Sequence, residues 1–307
     1  MKFATVATGG IGGYLAVNLV NAGEDVATLA RGPHLDAIRS KGLTLEAADG
    51  SMTVRPRIAT DDPAEIGLVD TVIFGVKAKD VERAAESCLP LLGPETVVIP
   101  FLNGVETVER LATVLPLKNI ANGTAGVSTT ITMPGSIKQV GTFATFTFSE
   151  RDSAQSPRIK AVRSAFERAG LEAPVVEDID AELWRKFCLF ASMSGVTAAA
   201  RCTLGEIRCD PHLSRLFQDG IAETAALGRA RGVALSEDIG AQIWNAIGDL
   251  PDNMRASTAI DLEAGRALEV DWVSGAVARL SDAAGLDAPV HRTLNAVLQT
   301  WKAGLYR

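Results

Sequence analysis

The first residues of the chain place a glycine-rich turn between a short apolar run and an apolar helix-like segment. Residues 2–7 (KFATVA) predict a strand, residues 14–22 predict a helix, and residues 25–30 (DVATLA) predict a second strand. Strand, glycine turn, helix and strand in this order are typical of a dinucleotide-binding unit. In such a unit the glycines admit a pyrophosphate, and the helix N-terminus offers it free N–H groups.

The turn departs from the pattern G-x-G-x-x-G at its first position, because residues 7–12 read ATGGIG. Ala7 puts a methyl group into a tight turn, and we expect it to be tolerated through a negative φ. The expected cofactor contacts are the five residues that follow, Thr8, Gly9, Gly10, Ile11 and Gly12.

Arg31 stands at the end of the second predicted strand, the position that meets the adenine ribose. An acidic residue there accepts a hydrogen bond from a free 2′-hydroxyl, whereas an arginine accommodates a 2′-phosphate. His34 is a second basic residue nearby. This part of the chain therefore predicts NADPH/NADP rather than NADH/NAD.

Composition predicts a cytoplasmic protein that binds neither nucleic acid nor membrane. The 307 residues carry a formal charge of −7 and no basic block. No apolar run is as long as a membrane span, and no signal-peptide pattern precedes the first strand. The cysteines lack C-x-x-C spacing, which favours reduced thiols and implies no metal site.

Strand and helix patterns alternate through the first half of the chain. Asp49 and Gly50 predict the turn of a β-hairpin over residues 42–54. Further strands are predicted over residues 69–76, 96–102, 120–130, 137–148 and 173–176. Helices are predicted over residues 80–92, 105–114 and 157–169.

From Asp180, which can cap the next helix, every pattern is helical. The predicted helices are residues 182–200, 211–231, 236–247, 271–284 and 289–303. The chain therefore predicts an α/β fold in which a Rossmann-type dinucleotide-binding domain (residues 1–178) precedes an all-helical substrate domain (residues 179–307). A cleft between such domains is a common place for a small-molecule site.

Two polar residues follow buried strands of the first half. Lys77 comes after the run that ends at Val76, and Asn103 after the run that ends at Leu102. Because ligands bind at the carboxyl ends of parallel strands, both are candidates for the site. The alternative is a solvated lysine and a simple turn at Asn103 and Gly104.

Lys186 stands in a largely apolar helical segment, residues 181–195 (AELWRKFCLFASMSG). When a hydride reaches a carbonyl carbon, the oxygen gains negative charge, which a nearby ammonium stabilises and can protonate. Partial burial would lower the pKa of the lysine and ease that donation. The alternative is a lysine whose ammonium reaches water past the apolar surface.

A third group combines Ser257, Asp261 and Glu269. Ser257 and Asp261 share one helical face, and Glu269 opens the next helix. The alternative is structural: Ser257 and Glu269 cap helices, and Asp261 pairs with an arginine, Arg255 or Arg266.

In order and spacing, these residues resemble the ketopantoate reductase (2-dehydropantoate 2-reductase) family nearly from end to end. The shared features are the glycine turn, Arg31, V-K at Lys77, N-G at Asn103, W-R-K at Lys186 and S-x3-D-x7-E from Ser257 to Glu269. The resemblance implies NADPH-dependent reduction of a 2-keto acid, ketopantoate to pantoate first, and so a place in pantothenate biosynthesis. A homodimer is compatible with it.

The resemblance also implies a role for each residue. Lys186 would be the general acid, and Glu269 would bind the substrate hydroxyl. Ser257 would help hold the substrate carboxylate, and Asn103 would contact the substrate and the nicotinamide. Lys77 would serve the cofactor, and Asp261 would lie behind the residues that contact the substrate.

The chain departs from the family one and two helical turns after Lys186. Family members often carry asparagines there, where this chain has Phe190 and Ser194. We expect both side chains to face the substrate, so that a ring and a hydroxyl replace two amides. Two alternatives follow: a related β-hydroxyacid or imine reductase with a different substrate, and a catalytically silent NADPH-binding protein. The presence of both Lys186 and Glu269 argues against the second alternative, because a protein that only binds NADPH does not need both.

Overall fold

The structure is a computed structural model that describes residues 1–305, and it divides into two compact units. The first unit comprises Met1–Leu102 and Thr107–Ile179, and the second comprises Asn103–Glu106 and Asp180–Arg307. The first is built of strands and helices and the second of helices, which confirms the predicted fold class.

A five-stranded parallel sheet forms the centre of the first unit. Its strands are β1 (Lys2–Val6), β2 (Asp25–Leu29), β5 (Ile58–Thr60), β6 (Val69–Phe74) and β7 (Leu92–Pro100), in the order β5-β2-β1-β6-β7. Its helices are α1 (Gly10–Asn21), α2 (Gly32–Lys41), α3 (Val81–Glu86), α4 (Thr107–Leu111) and α5 (Pro157–Arg168). The strand order reverses direction between β1 and β6, and ligands of such sheets bind at the carboxyl ends beside that point.

A second sheet of four strands packs in the same unit. It contains β3 (Leu43–Ala47), β4 (Gly50–Val54), β8 (Asn122–Met133) and β9 (Ser136–Ser149), in the order β4-β3-β9-β8. The predicted hairpin is present, but Ala47 pairs with Gly50, so its turn is residues 48–49. Phe146 and Phe148 lie two positions apart on β9 and pack against Phe101 and Phe166, with ring centroids 5.1–6.2 Å apart.

Three predictions for this unit need correction. The helix predicted over residues 80–92 is only α3, because Leu92 already begins β7, and the helix predicted over 105–114 shrinks to α4. The strand predicted over 173–176 is absent. Pro174 has no N–H to donate to a neighbouring strand. The Arg163 guanidinium donates hydrogen bonds to the carbonyl oxygens of Ala173 and Pro174, which are therefore not left for strand pairing.

The second unit is a set of helices around a large apolar core, with a second, smaller apolar cluster beside it. They are α6 (Ile179–Ala199), α7 (Leu204–Cys209), α8 (Pro211–Ala230), α9 (Ile239–Ala246), α10 (Ser257–Glu263), α11 (Ser274–Ala283) and α12 (Pro289–Gln299). Helix α6 begins one residue before Asp180, so this carboxylate lies in the first turn instead of the predicted cap position. Within residues 1–305, no helix is long and apolar enough to cross a membrane.

Helix α6 lies deep in this core because glycines allow the neighbouring helices to approach it closely. A Cβ at Gly195 would come within 2.6 Å of Leu294 and 3.0 Å of the Ser274 hydroxyl. A Cβ at Gly220 of α8 would come within 2.9 Å of the Ser192 hydroxyl. These close approaches hold α6 against α8, α11 and α12, and so fix the positions of the polar side chains that it carries.

Candidate active site

The glycine turn of the first unit closes on its own backbone. Ala7 has φ +63, so the expected negative φ is wrong, and an alanine holds a left-handed conformation that costs about 1–2 kcal/mol. A Cβ at Gly12 would lie 2.5 Å from the Ala7 carbonyl oxygen. The neighbouring Thr8 is buried, and its hydroxyl donates to the Leu29 carbonyl over 3.1 Å. The strained turn is therefore held by its surroundings.

The far side of the turn is open. A Cβ built at Gly9 would meet nothing within 4 Å, although Gly9 is the residue that precedes α1. The first turn of α1 contains no acidic side chain, and no side chain within residues 1–305 caps its N–H groups. An open glycine beside free helix N–H groups is the arrangement that receives a pyrophosphate, so the turn fits a dinucleotide.

Arg31 lies two residues after β2, as predicted, and directly before α2. Its side chain is exposed, and within the described part of the chain it forms no ion pair. His34, one turn into α2, is a different case. Its ring nitrogens lie 2.8 Å from the Thr8 carbonyl oxygen and 3.0 Å from the Gly135 amide nitrogen. Because both nitrogens are engaged, the expected contribution of His34 to a 2′-phosphate site is not supported.

Lys77 is exposed and precedes a short 3-10 helix, Ala78–Asp80. The chain reaches it from β6 through Gly75, where a Cβ would lie 3.5 Å from the Gly12 nitrogen. The end of β6 and the glycine turn are therefore neighbours. Lys77 stands at the carboxyl edge of the sheet, next to the reversal of strand order, as its place in the sequence predicted.

In the second unit, Lys186, Phe190 and Ser194 follow one another on successive turns of α6. Lys186 and Phe190 are partly buried, and the neighbouring Phe187 is only 3% exposed. Burial lowers the pKa of Lys186 from 10.5 to about 8. A lysine with this pKa is mostly an ammonium at neutral pH, yet it gives up its proton more readily than an ordinary lysine.

Ser194 does not lie open as predicted. It is 1% exposed, and its hydroxyl is hydrogen-bonded to the hydroxyl of Thr258 in α10. One turn further on, the Thr197 hydroxyl accepts a hydrogen bond of 3.4 Å from the Ala256 amide. Two hydroxyls of α6 thus hold the start of α10, where Ser257 is exposed. The side chain of Ser257 makes no cap, because Ala256 occupies the cap position.

Asp261 follows one turn after Ser257 and forms an ion pair with Arg266 at 2.7 Å, which is the structural alternative that the sequence left open. Glu269 is partly buried and immediately precedes a 3-10 helix, Val270–Trp272. It does not open a long helix as predicted, since α11 begins only at Ser274.

The loop before Glu269 is held from the end of the chain. The Leu268 amide donates to the Lys302 carbonyl over 2.9 Å, and the Leu305 amide donates to the Gly265 carbonyl over 3.1 Å. These bonds fix the backbone on which the Glu269 carboxylate stands.

Asn103 belongs to the second unit, although the strand before it belongs to the first. A Cβ at Gly104, which has φ +96, would lie 2.9 Å from the Trp272 carbonyl oxygen. Glu106 anchors the same segment through two hydrogen bonds of 2.9 Å from Arg279. The structure thus brings Asn103 beside the 3-10 helix that follows Glu269. Neither Thr258 nor this Glu106 pair was found from the sequence, because their partners lie far away along the chain.

Two models of one protein family match most of the chain. The family model described as Ketopantoate reductase PanE/ApbA matches residues 3–153, and the model of its C-terminal part matches residues 178–302. The chain belongs to the ketopantoate reductase family. A 2-dehydropantoate 2-reductase from Mesorhizobium japonicum is 31% identical over 319 residues, which cover 97% of this chain and 96% of that protein.

Solved structures share the fold of this chain. A PanE/ApbA family ketopantoate reductase from Ralstonia eutropha JMP134 superposes with a TM-score of 0.88 at 27% identity, over 98% of both chains. A D-mandelate dehydrogenase in a ternary structure with NADH and anilino(oxo)acetate shares the fold, with a TM-score of 0.89 at 20% identity over 98% of both chains. This ketopantoate reductase family member is therefore an oxidoreductase of a dinucleotide-binding family, and the predicted resemblance is confirmed.

Proposed function

We propose that this ketopantoate reductase family member uses NADPH to reduce a 2-keto acid to a 2-hydroxy acid. The observation that carries the proposal is Lys186, a partly buried lysine whose pKa falls to about 8, held in the same unit as Asn103, Ser257 and Glu269. In this proposal residues 1–178 hold the cofactor, and residues 179–307 hold the substrate.

The cofactor half comprises the glycine turn, Arg31 and Lys77. The N–H groups at the start of α1 receive the pyrophosphate, with Gly9 and its neighbours Thr8, Gly10, Ile11 and Gly12 around it. The exposed Arg31 guanidinium binds the 2′-phosphate through paired hydrogen bonds, and Lys77 adds a further positive charge. NADPH supplies the hydride when it is bound there.

Lys186 supplies the proton. The carbonyl oxygen of the substrate becomes an alkoxide as its carbon accepts a hydride, and the ammonium stabilises this charge. Transfer of one proton from Lys186 then gives the hydroxyl group, and solvent reprotonates the amine. The lowered pKa of about 8 brings the acid closer to the working pH, which favours the transfer.

Three further residues orient the substrate. The exposed Ser257 hydroxyl donates to the substrate carboxylate, and the Asn103 amide contacts the substrate beside it. The Glu269 carboxylate accepts a hydrogen bond from the hydroxyl that forms. Ser194 serves indirectly, since its bond to Thr258 holds the helix that carries Ser257.

Phe190 favours a substrate with a larger apolar or aromatic group over ketopantoate. The α6 face, where relatives often carry amides, here offers a ring at Phe190 and a hydroxyl at Ser194 that is already bonded to Thr258. A substrate hydroxyl would find fewer partners there. The D-mandelate dehydrogenase of the same fold binds an aromatic ligand, anilino(oxo)acetate, which supports the idea that this fold accepts such groups. Family membership favours ketopantoate, and with it pantothenate biosynthesis, as the second candidate.

The reaction belongs in a reducing compartment. All four cysteines are free thiols, and three of them are buried. This thiol chemistry favours the cytoplasm.

A turnover assay tests the function. NADPH oxidation is followed with ketopantoate, phenylglyoxylate and phenylpyruvate, in the wild type and in Lys186→Ala. We expect turnover of at least one 2-keto acid by the wild type and its loss in the variant. NADPH binding without turnover of any 2-keto acid would contradict the proposal and favour a silent binding protein.

A further inference from the structure

The ring of His34 makes two hydrogen bonds that fix its protonation. The Gly135 backbone nitrogen lies 3.0 Å from Nδ1, and a backbone N–H can only donate, so Nδ1 carries no proton. Nε2 lies 2.8 Å from the Thr8 carbonyl oxygen, which can only accept, so Nε2 carries the proton and donates it. His34 is therefore a neutral ring in one tautomer. Burial lowers its pKa, in agreement with this form.

One of these bonds acts on the peptide group that joins Thr8 to Gly9 in the glycine turn. The Thr8 carbonyl and the Gly9 N–H belong to the same peptide group, and in a planar trans peptide they point in opposite directions. A hydrogen bond that holds the Thr8 carbonyl toward His34 therefore holds the Gly9 N–H away from it. Gly9 directly precedes α1, whose N–H groups are the ones expected to receive the pyrophosphate.

The other bond joins the turn to the β8–β9 hairpin. Gly135, with φ +81, lies in the loop between these strands, and a Cβ there would lie 3.0 Å from the Ala37 side chain of α2. In the same hairpin, Thr129 packs on the glycine turn, where a Cβ at Gly10 would lie 2.7 Å from its hydroxyl. Helix α2, the turn and the hairpin thus meet at one imidazole.

We propose that His34 is a positioning residue of the dinucleotide site, which orients the Thr8–Gly9 peptide for the pyrophosphate and ties it to the β8–β9 hairpin. The inference rests on the dinucleotide-binding part of the proposed function and on no property of the substrate. His34 touches neither substrate nor reacting atoms in this proposal. It acts through the backbone of the turn.

Two substitutions separate the two bonds. His34→Gln places an amide N–H near the position of Nε2 and can keep the bond to Thr8, while it loses the acceptor for Gly135. His34→Asn places an oxygen near the position of Nδ1 and can keep the bond from Gly135, while it loses the donor to Thr8. The exposed His212 of the second unit provides matched controls, His212→Gln and His212→Asn.

The test is an equilibrium titration with NADPH, followed by nicotinamide fluorescence, alongside the thermal midpoint of each variant. We expect His34→Asn to raise the Kd for NADPH by about five- to tenfold, the scale of one lost hydrogen bond. His34→Gln should bind NADPH more tightly than His34→Asn, even where both lose similar thermal stability. Equal Kd values for both variants and the wild type would overturn the proposal, as would losses of affinity that only follow the thermal midpoint.

A second measurement needs no variant. The ¹⁵N resonances of the His34 ring in the wild-type protein report which nitrogen carries the proton. We expect the Nε2–H tautomer, and a ring protonated on Nδ1 would overturn the proposal. Both readouts are independent of turnover, so the absence of 2-keto acid reduction would count against the proposed function alone.

Discussion

The glycine turn of the first unit and the Lys186 face of α6 in the second are built in opposite ways. The turn is made of backbone, and a Cβ at Gly12 would strike the Ala7 carbonyl at 2.5 Å. The α6 face is made of side chains projected from an ordinary helix, Lys186, Phe190 and Ser194. Backbone geometry permits few residue types, whereas a face made of side chains on an ordinary helix permits many. A chain can therefore keep such a turn while the side chains on such a helix face change.

The two departures from family pattern illustrate this difference. Ala7 replaces a glycine, and the turn absorbs the change as local strain at φ +63. Phe190 stands where relatives often carry an amide. The helix itself is unaltered, but an aromatic ring replaces a hydrogen-bonding group on its face. We expect the first departure to leave the class of cofactor unchanged and the second to change the substrate.

The largest expected effect comes from the α6 face. Lys186→Ala should lower kcat by about two to four orders of magnitude, the usual contribution of a positioned acid, and leave the Kd for NADPH unchanged. Steady-state kinetics and NADPH titration measure both. Arg185→Ala is the matched control, because Arg185 is exposed and lies 3.7 Å from Glu182. A nearly normal kcat in the Lys186→Ala variant would show that Lys186 only packs in the helix and is not the acid.

The next effect belongs to the cofactor half. Arg31→Ala should lower kcat/KM with NADPH by about ten- to a hundredfold, since charged hydrogen bonds to the 2′-phosphate are lost, and should barely change it with NADH. Arg39→Ala, in the helix that Arg31 precedes, serves as control; the Arg39 guanidinium donates to the Ala59 carbonyl over 2.8 Å. Equal losses with both cofactors would remove the basis for NADPH preference.

The pH profile distinguishes an acid from a mere cation at Lys186. Burial lowers its pKa to about 8, and only the ammonium donates a proton. Reduction should therefore slow by about tenfold per pH unit above that pKa, while oxidation of the 2-hydroxy acid, which needs the neutral amine, should rise through the same window. Measurement of kcat in both directions tests this. Flat profiles would contradict the assignment of the acid.

A smaller effect tests the open side of the turn. Gly9→Ala adds a methyl group where nothing lies within 4 Å, at a φ of −83 that alanine accepts. Unfolding free energy should change by less than about 0.5 kcal/mol, while NADPH affinity falls by about tenfold because the methyl group occupies space needed by the pyrophosphate. Gly248→Ala is the control, since its Cβ also meets nothing. Normal NADPH binding by the Gly9→Ala variant would show that the pyrophosphate does not bind beside Gly9.

The smallest effect concerns substrate choice. Phe190→Asn should shift the ratio of kcat/KM values toward ketopantoate, and away from phenylglyoxylate, by about 1 kcal/mol or more, the scale of one gained hydrogen bond. Kinetics with both acids in wild type and variant measure the ratio. An unmoved ratio, or a wild type already strongly selective for ketopantoate, would show that Phe190 does not set specificity.

Much of the fold could be predicted from local patterns. The strands predicted over residues 2–7 and 25–30 appear as β1 and β2 within one residue, because buried parallel strands are continuous apolar runs. The prediction failed where a single residue changed the outcome. Pro174 removed a strand that the apolar pattern favoured, and Ala7 took a conformation that its residue type disfavours.

By itself the sequence determined the fold class, the glycine turn and the residues of the family pattern, because periodicity and glycine spacing act over a few neighbouring positions. Only the tertiary structure decided the partners of the polar side chains. Ser194 reaches Thr258 across 64 positions, and His34 receives its hydrogen bond from Gly135 across 101. A local pattern states that a polar side chain needs a partner, but only the packed chain decides which partner lies within hydrogen-bonding distance.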